Sequence, residues 1–266
     1  MDLRGKRVVL TGAAGGMGQL IAQALADRGA SLVLADANND GLQSLLGRLG
    51  ESHEVVAGDL TRPEVRTELV NTCRRLGTLH MLINAAGISD YVLLEQHEQR
   101  RIELMMSLNA TLPILLCQEL LPFLRASPEA LIVNFGSTFG SIGHPGFAVY
   151  CATKFALRGF SESLRRELAD THVGVIYFAP RATRTGMNSS AVDALNAELG
   201  NAMDSPESVA AALIDRIQQS SGGDYYLGWP EKLFVRLNGL LPGVVDGALR
   251  KQLAIIKRLA AELPAG

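Results

Sequence analysis

Hydrophobic positions along this chain fall in short runs separated by stretches of helical period. The runs cover residues 7–10, 31–35, 54–56, 80–83, 130–135 and 173–178. None alternates cleanly between apolar and polar, the pattern of strands covered on both faces. Between the runs, Leu20, Ile21, Ala24 and Leu25 form one apolar stripe, and Val65, Leu69 and Leu76 belong to another. Pro63, following Thr61 and Arg62, predicts a helix start with proline in the first helical position. Strand and helix signals that alternate this way predict an α/β fold with a doubly wound parallel sheet. No linker, repeat or low-complexity tract interrupts them. Beyond residue 222 the pattern changes. Residues 224–227 predict a last strand, and 229–241 and 248–260 predict helices separated by a Pro242-Gly243 break. In the final helix Leu249, Leu253, Ile256 and Ala260 share a face, with Arg250, Lys251, Lys257 and Arg258 off it. The chain is therefore expected to divide into one domain, 1–228, and a C-terminal helical extension, 229–266.

Composition narrows the picture. With 266 residues, 47% of them hydrophobic, the chain can bury one sizeable core. A net charge of −2 gives no electrostatic reason to expect nucleic acid as a partner. Cys73, Cys117 and Cys151 are odd in number and lack metal-ligand spacing, which favours free thiols in a reduced, cytoplasmic protein. No uninterrupted apolar run reaches membrane-spanning length. The basic start (Arg4, Lys6, Arg7) precedes an apolar run that turns at once into a glycine loop, so a secretion signal is not expected.

That loop holds Thr11, Gly12, Gly15, Gly16, Met17 and Gly18 between the first predicted strand and the first predicted helix. Glycines let a backbone turn sharply and approach a pyrophosphate, and the helix N-terminus beyond offers N–H groups and a positive dipole end. In this context the loop points to dinucleotide binding on a Rossmann-like sheet, rather than to an ordinary tight turn. Asp36 closes the second strand, 18 residues past Gly18, at the separation expected of an acid that hydrogen-bonds the adenosine ribose. A carboxylate there accepts from the 2′-hydroxyl and repels a 2′-phosphate. Ala37 follows it and no basic residue lies in the loop, so NAD is favoured over NADP. The alternative for Asp36 is a loop or helix-capping acid.

A second constellation carries chemistry. Tyr150 and Lys154 begin a helical stretch running to about residue 169, and a spacing of four places them on one face. An ammonium beside a phenol favours the phenolate and lowers its pKa, as acid/base catalysis requires. Alone, such a pair arises by chance on helix surfaces. Ser137, just past the run 130–135, lies at the carboxyl edge of the sheet, where it can hold a substrate oxygen. Alone it would be a turn residue.

Together these residues resemble the short-chain dehydrogenase/reductase family in its common single-domain form. The resemblance spans residues 3–227 and five ordered motifs: the glycine loop; Asp59-Leu60; Asn84, Ala85, Ala86 and Gly87; Asn109 with Ser137; and Tyr150 with Lys154. It implies an oxidoreductase that moves a hydride between NAD(H) and an alcohol or carbonyl, with Tyr150 as the acid/base. It further implies that Lys154 lowers the tyrosine pKa and binds the nicotinamide ribose, while Ser137 polarises the substrate oxygen. Asn109 would hold a water through its backbone carbonyl, Asp59 and Leu60 would contact the adenine, and residues 84–87 would line the cofactor cleft. Asn84 is otherwise read as a sheet brace, and Asp59 as a turn cap. Pro180, Thr183 and Thr185 follow the sixth strand, where the family binds the carboxamide. Arg181 stands at the family's usual glycine and is expected to face solvent. Ile88, Tyr91, Val92, Phe139, Ile142, Phe147, Met187, Val192 and Leu195 are candidates for an apolar substrate pocket. The tail is expected to pack on protein, at the site or at a subunit contact, in preference to an anionic membrane. The family implies a homo-dimer or homo-tetramer. No His/Cys/carboxylate cluster suggests a metal. The competing reading is a non-catalytic NAD-binding regulator or membrane-surface protein on the same fold.

Overall fold

The computed structural model describes residues 1–50, 52–219 and 222–261. Seven strands form one sheet: β1 (Arg7–Thr11), β2 (Ser31–Asp36), β3 (Glu54–Ala57), β4 (Met81–Asn84), β5 (Ala130–Phe135), β6 (Val173–Ala179) and β7 (Gly223–Tyr226). Their order is β3-β2-β1-β4-β5-β6-β7 and every neighbouring pair is parallel. The order reverses between β1 and β4, which opens a crevice at the carboxyl edge where ligands bind in such sheets. The predicted doubly wound α/β architecture is thus the observed one.

Two apolar layers sandwich the sheet. On one face, Ile21 and Leu25 of α1 (Gly16–Ala26), Leu42 and Leu45 of α2 (Asn39–Leu49), and Val209 and Leu213 of α8 (Pro206–Gln219) join one core. On the other, Leu69 of α3 (Pro63–Leu76), Leu116 and Leu120 of α5 (Leu112–Arg125), and Leu164 of α6 (Ala148–Glu167) join the second. Pro63 opens α3 as expected. The helix α4 (Gln99–Met106) runs through a π-helical turn, Ser107–Thr111, into α5. This stretch, Gln99–Arg125, is long and apolar enough to cross a membrane by length and composition. Here it is a core helix, with Leu112, Leu116, Leu120 and Leu124 buried beside the sheet.

The tail forms α9 (Glu231–Leu240) and α10 (Pro242–Ala261). Pro242 is not an interruption between distant helices: it opens α10, six residues before the expected start. A proline in the first turn removes no helical hydrogen bond. The helix α10 lays Ile256, Leu259 and Ala260 against Tyr91, Phe147 and Cys151, and against Ala191 and Leu195 of α7 (Ser190–Glu198). The tail therefore packs on protein through one face, over the carboxyl edge of the sheet.

Candidate active site

The glycines of the β1–α1 loop serve two different needs. Gly12 has φ +69 and a Cβ there would sit 2.9 Å from the Ala86 backbone. A Cβ on Gly18 would lie 2.0 Å from the Gly12 carbonyl oxygen. These two allow close packing of loop, helix and β4. Gly15 and Gly16 are exposed, and a Cβ on Gly16 would meet nothing. At the N-terminus of α1 that open space suits a phosphate group. Thr11 braces the loop from below: its hydroxyl accepts from the amides of Ala85 and Ala86, both at 3.1 Å.

Asp36 ends β2 beside this loop. Its carboxylate accepts from the Ala14 amide at 3.0 Å and the Asn38 amide at 2.9 Å, which fixes its position at the crevice. Asp59 behaves as a turn cap, accepting from the Thr61 amide at 2.9 Å and the Thr61 hydroxyl at 2.7 Å. The Leu60 side chain is in the core, so an adenine contact there falls to its backbone. Asn84 is a brace: its amide donates to Asn134 Oδ1 at 2.8 Å, and Asn134 in turn donates to the Ser161 hydroxyl at 2.8 Å.

Asn109 lies in the π-helical turn, a kind of irregularity frequent at functional sites. Its side chain is wholly occupied: Oδ1 accepts from the Ile88 amide at 2.9 Å, and Nδ2 donates to the Ile88 carbonyl at 2.7 Å and to the Thr153 hydroxyl at 3.3 Å. Gly87 fits between Asn109 and Lys154. A Cβ on it would stand 3.1 Å from Asn109 Oδ1 and 3.9 Å from Lys154 Nζ.

Ser137 follows β5 and caps a short 3-10 turn, Thr138–Gly140, by accepting from the Phe139 amide at 3.1 Å. The Tyr177 hydroxyl holds its backbone, accepting from the Ser137 amide at 3.2 Å and donating to the Ser137 carbonyl at 3.0 Å. Tyr177 can enter because Gly136 and Gly140 have no side chains; a Cβ on either would lie within 2.2 Å of its ring or hydroxyl. Ser137 lies close enough to Tyr150 to pull its phenol pKa down, and Lys154 Nζ sits 5.6 Å from the centre of the Tyr150 ring. Lys154 Nζ also donates to the Phe135 carbonyl at 2.9 Å.

The electrostatics correct one expectation. Burial pushes the Tyr150 phenol up to about 12, although Ser137 beside it pulls in the other direction. Burial likewise pulls the Lys154 ammonium down to about 8. Without a ligand, desolvation outweighs the pull of Ser137, and this favours the protonated phenol.

These side chains line one cavity of about 470 Å³, which runs from Met17, Ala85 and Gly87 past Ser137, Tyr150 and Lys154 to the tail. Pro180, Thr183 and Thr185 line it as well, together with Phe139, Ile142, Phe147, Met187, Val192 and Leu195. Tyr91 and Val92 line an adjoining cavity of about 180 Å³ that shares Phe147, Met187 and Val192 with it, and Tyr91 donates to the Ile256 carbonyl of α10 at 2.7 Å. Ile88 lines neither; its backbone is clasped by Asn109. Arg181 does not face solvent. Its guanidinium pairs with Asp204 at 2.7 Å and Glu231 at 3.5 Å, tying the end of β6 to the start of α9. Phe234, Leu237 and Val245 of the tail are among the lining residues that no motif marks, and His144 lines it too. His144 Nδ1 lies 2.8 Å from the Pro145 carbonyl, which only accepts, so the proton is on Nδ1 and Nε2 is an acceptor. Burial lowers its pKa and keeps it neutral.

A crevice of this kind, at the carboxyl edge of a doubly wound sheet with an open glycine loop, is that of a dinucleotide-dependent oxidoreductase. Within that class the chain belongs to the short chain dehydrogenase family, whose model matches residues 6–196. A 3-oxoacyl-[acyl-carrier-protein] reductase of Vibrio cholerae is 32% identical over 194 residues, 73% of this chain and 80% of that protein. Among solved structures, a short chain dehydrogenase/reductase from Burkholderia phymatum in complex with NAD gives a TM-score of 0.81 at 22% identity, covering 90% of this chain and 94% of that one. A short chain dehydrogenase from Burkholderia cenocepacia in complex with NADP gives 0.80 at 22% identity, covering 94% and 99%. The protein is an oxidoreductase of this family, dependent on NAD(P).

Proposed function

We propose that this protein is an NAD(H)-dependent alcohol dehydrogenase or carbonyl reductase acting on an apolar substrate, with Tyr150 as its acid/base. One observation carries the reading: Ser137, Tyr150 and Lys154 line the same cavity as Met17, Ala85 and Gly87 of the dinucleotide crevice. The residues fit the cofactor, with open space at Gly16 and a fixed carboxylate at Asp36. A bound nicotinamide dinucleotide supplies or takes up the hydride. The rest belongs to the chain. Tyr150 donates its phenolic proton to a forming alkoxide, or as phenolate takes the proton of a substrate hydroxyl. Ser137, oriented by its turn, hydrogen-bonds the same oxygen. Lys154 has N–H groups beyond the one given to Phe135 for the cofactor ribose, and its charge stabilises the phenolate. The side chain of Asn109 is occupied, so it serves through its backbone carbonyl, holding the water that links Lys154 to solvent.

Asp36, followed by Ala37, supports NAD over NADP, because a carboxylate repels a 2′-phosphate. The apolar lining by Phe139, Ile142, Phe147 and Leu195 supports a lipophilic substrate. So does the acyl substrate in the name of the Vibrio cholerae relative. Leu104, Met106, Ile114 and Phe155 are exposed apolar positions on α4, α5 and α6, which supports self-association as a dimer or tetramer.

The test is Tyr150→Phe, assayed by NADH absorbance on aliphatic, steroid and aromatic alcohols with NAD⁺. General acid/base catalysis contributes about 10²–10⁴-fold, and a loss of that order is expected. NADH affinity should stay unchanged, and NADPH should bind more weakly in both forms. Near-normal turnover would remove Tyr150 from the mechanism. Tight NADH binding with no turnover of any alcohol or ketone would favour a non-catalytic binder.

A further inference from the structure

The inner side of the tail packs on the domain, and its outer side stays apolar. Trp229 is 70% exposed, Leu240 80%, Leu241 57% and Val244 56%, and Leu233 and Phe234 are close to half exposed. These residues run from just before α9, along it and through the elbow into α10. An exposed apolar patch on this scale marks an interaction surface. Phe234 and Val244 also line the rim of the large cavity, so the patch runs without a break into its mouth.

Charge selects the partner. Residues 229–266 hold six Lys and Arg against three Asp and Glu, on a chain whose total is −2. Of the acids, Glu231 is paired with Arg181. Among the described residues Arg236, Arg250, Lys251 and Lys257 enter no ion pair. An apolar ridge with a tryptophan, flanked by unpaired basic side chains, complements an anionic bilayer surface: the rings and leucines enter the headgroup boundary while the cations meet phosphates. A second copy of the chain would bring the same positive charges together.

We propose that the elbow between α9 and α10 seats this protein on an anionic membrane surface, with the cavity mouth turned towards the lipid. Resting on the proposed alcohol or carbonyl chemistry, this orientation lets a bilayer-dissolved substrate reach Tyr150 through the Phe234–Val244 rim without crossing water.

Trp229 is the chain's single tryptophan and reports the seating directly. The experiment adds vesicles of phosphatidylcholine alone, or of equal parts phosphatidylcholine and phosphatidylglycerol, to the full chain. Tryptophan emission and co-sedimentation are read at low and high salt. The expected result is a blue shift and sedimentation with the anionic vesicles only, both reduced by salt. Leu240→Glu with Leu241→Glu changes two exposed side chains and should weaken vesicle binding about tenfold or more, as the loss of buried leucine area implies. Its circular dichroism and NADH affinity should match the parent. Absence of any shift or sedimentation would overturn the proposal. So would vesicle binding untouched by the double substitution, or a dimer in buffer that buries Trp229 and ignores vesicles. None of these readouts involves turnover, so a chain that binds vesicles but oxidises no alcohol would refute the enzymatic reading and leave the docking surface standing.

Discussion

Replacing Lys154 by methionine should stabilise the protein without cofactor while abolishing its turnover. Lys154 is only 6% exposed and its pKa falls from 10.5 to about 8 through burial. A depressed lysine prefers the neutral form, so its charge opposes folding. That fall corresponds to about 3 kcal/mol at pH 7. Methionine removes the penalty and keeps the stem, but leaves the Phe135 carbonyl without its donor, a loss of about 1 kcal/mol at this half-buried position. The net gain is about 2 kcal/mol, or roughly 4–8 °C in Tm for a chain of this size. The pH dependence separates charge from packing. Below pH 8 the native lysine is charged and the full penalty applies. Between about 8 and 10.5 the unfolded chain holds a proton that the native state has lost, so the stability of the parent rises with pH. The advantage of the variant should disappear by pH 10. Tyr150, raised to about 12, acts in the opposite sense only above pH 10, and it is common to both proteins. Thermal unfolding at pH 7 and pH 10, without cofactor, reads this directly. A lower Tm for the variant at pH 7, or a gap of equal size at both values, would refute the reasoning.

The two kinds of glycine in the β1–α1 loop should separate cleanly. Gly18→Ala drives a methyl into the Gly12 carbonyl at 2.0 Å and should destabilise the fold by several kcal/mol (~3 or more), read by denaturant unfolding. Gly16→Ala meets nothing, so Tm should hold while NADH affinity falls about tenfold or more, since only a ligand contests that space. Arg181→Ala leaves the largely buried carboxylates of Asp204 and Glu231 without their cation. It should cost about 1–3 kcal/mol locally, speed hydrogen exchange in α9 and raise KM more than it lowers kcat.

How much of this is legible in the sequence depends on how local each signal is. Ala130–Phe135 is bounded correctly at both ends because its apolar residues begin just after Pro128 and Glu129 and stop at Gly136 and Ser137. The seventh strand lies one residue earlier than its expected position. Its four residues are all half-buried, so no apolar run marks it, and it starts at Gly223 with φ +115. Pro242 reads as a break although proline is tolerated in the first turn, which a single sequence cannot distinguish from a true interruption. Tyr150, Lys154 and Ser137 are legible because their motif spacing is local or tied to a strand end. Arg181 is not, because its partners lie 23 and 50 positions away and nothing short-range announces them. Tyr177 is hidden inside an apolar strand. Its only signature is the pair Gly136 and Gly140, and those glycines explain themselves only once the ring is seen between them.

Asn84, which the motifs suggest as a cofactor contact, belongs to a network that holds the reactive face in register. Asn84 on β4 donates to Asn134 on β5, Asn134 donates to Ser161 on α6, and Ser161 donates to the Leu157 carbonyl. Ser161, Leu157, Lys154 and Tyr150 are spaced along a single face of α6. The buried amides therefore pin that face to the same strands whose ends carry Ser137 and the Ala85–Gly87 turn. Asn84 Oδ1 is buried with no partner, a cost of about 1–3 kcal/mol in its own right. An apolar packing of the same contacts would be more stable, but it would let the helix slide. Polar groups that must meet specific partners fix one register, and for a proton transfer a displacement of about 1 Å matters more than the stability lost. On the proposed mechanism the network would serve catalysis even though none of its side chains need touch a substrate.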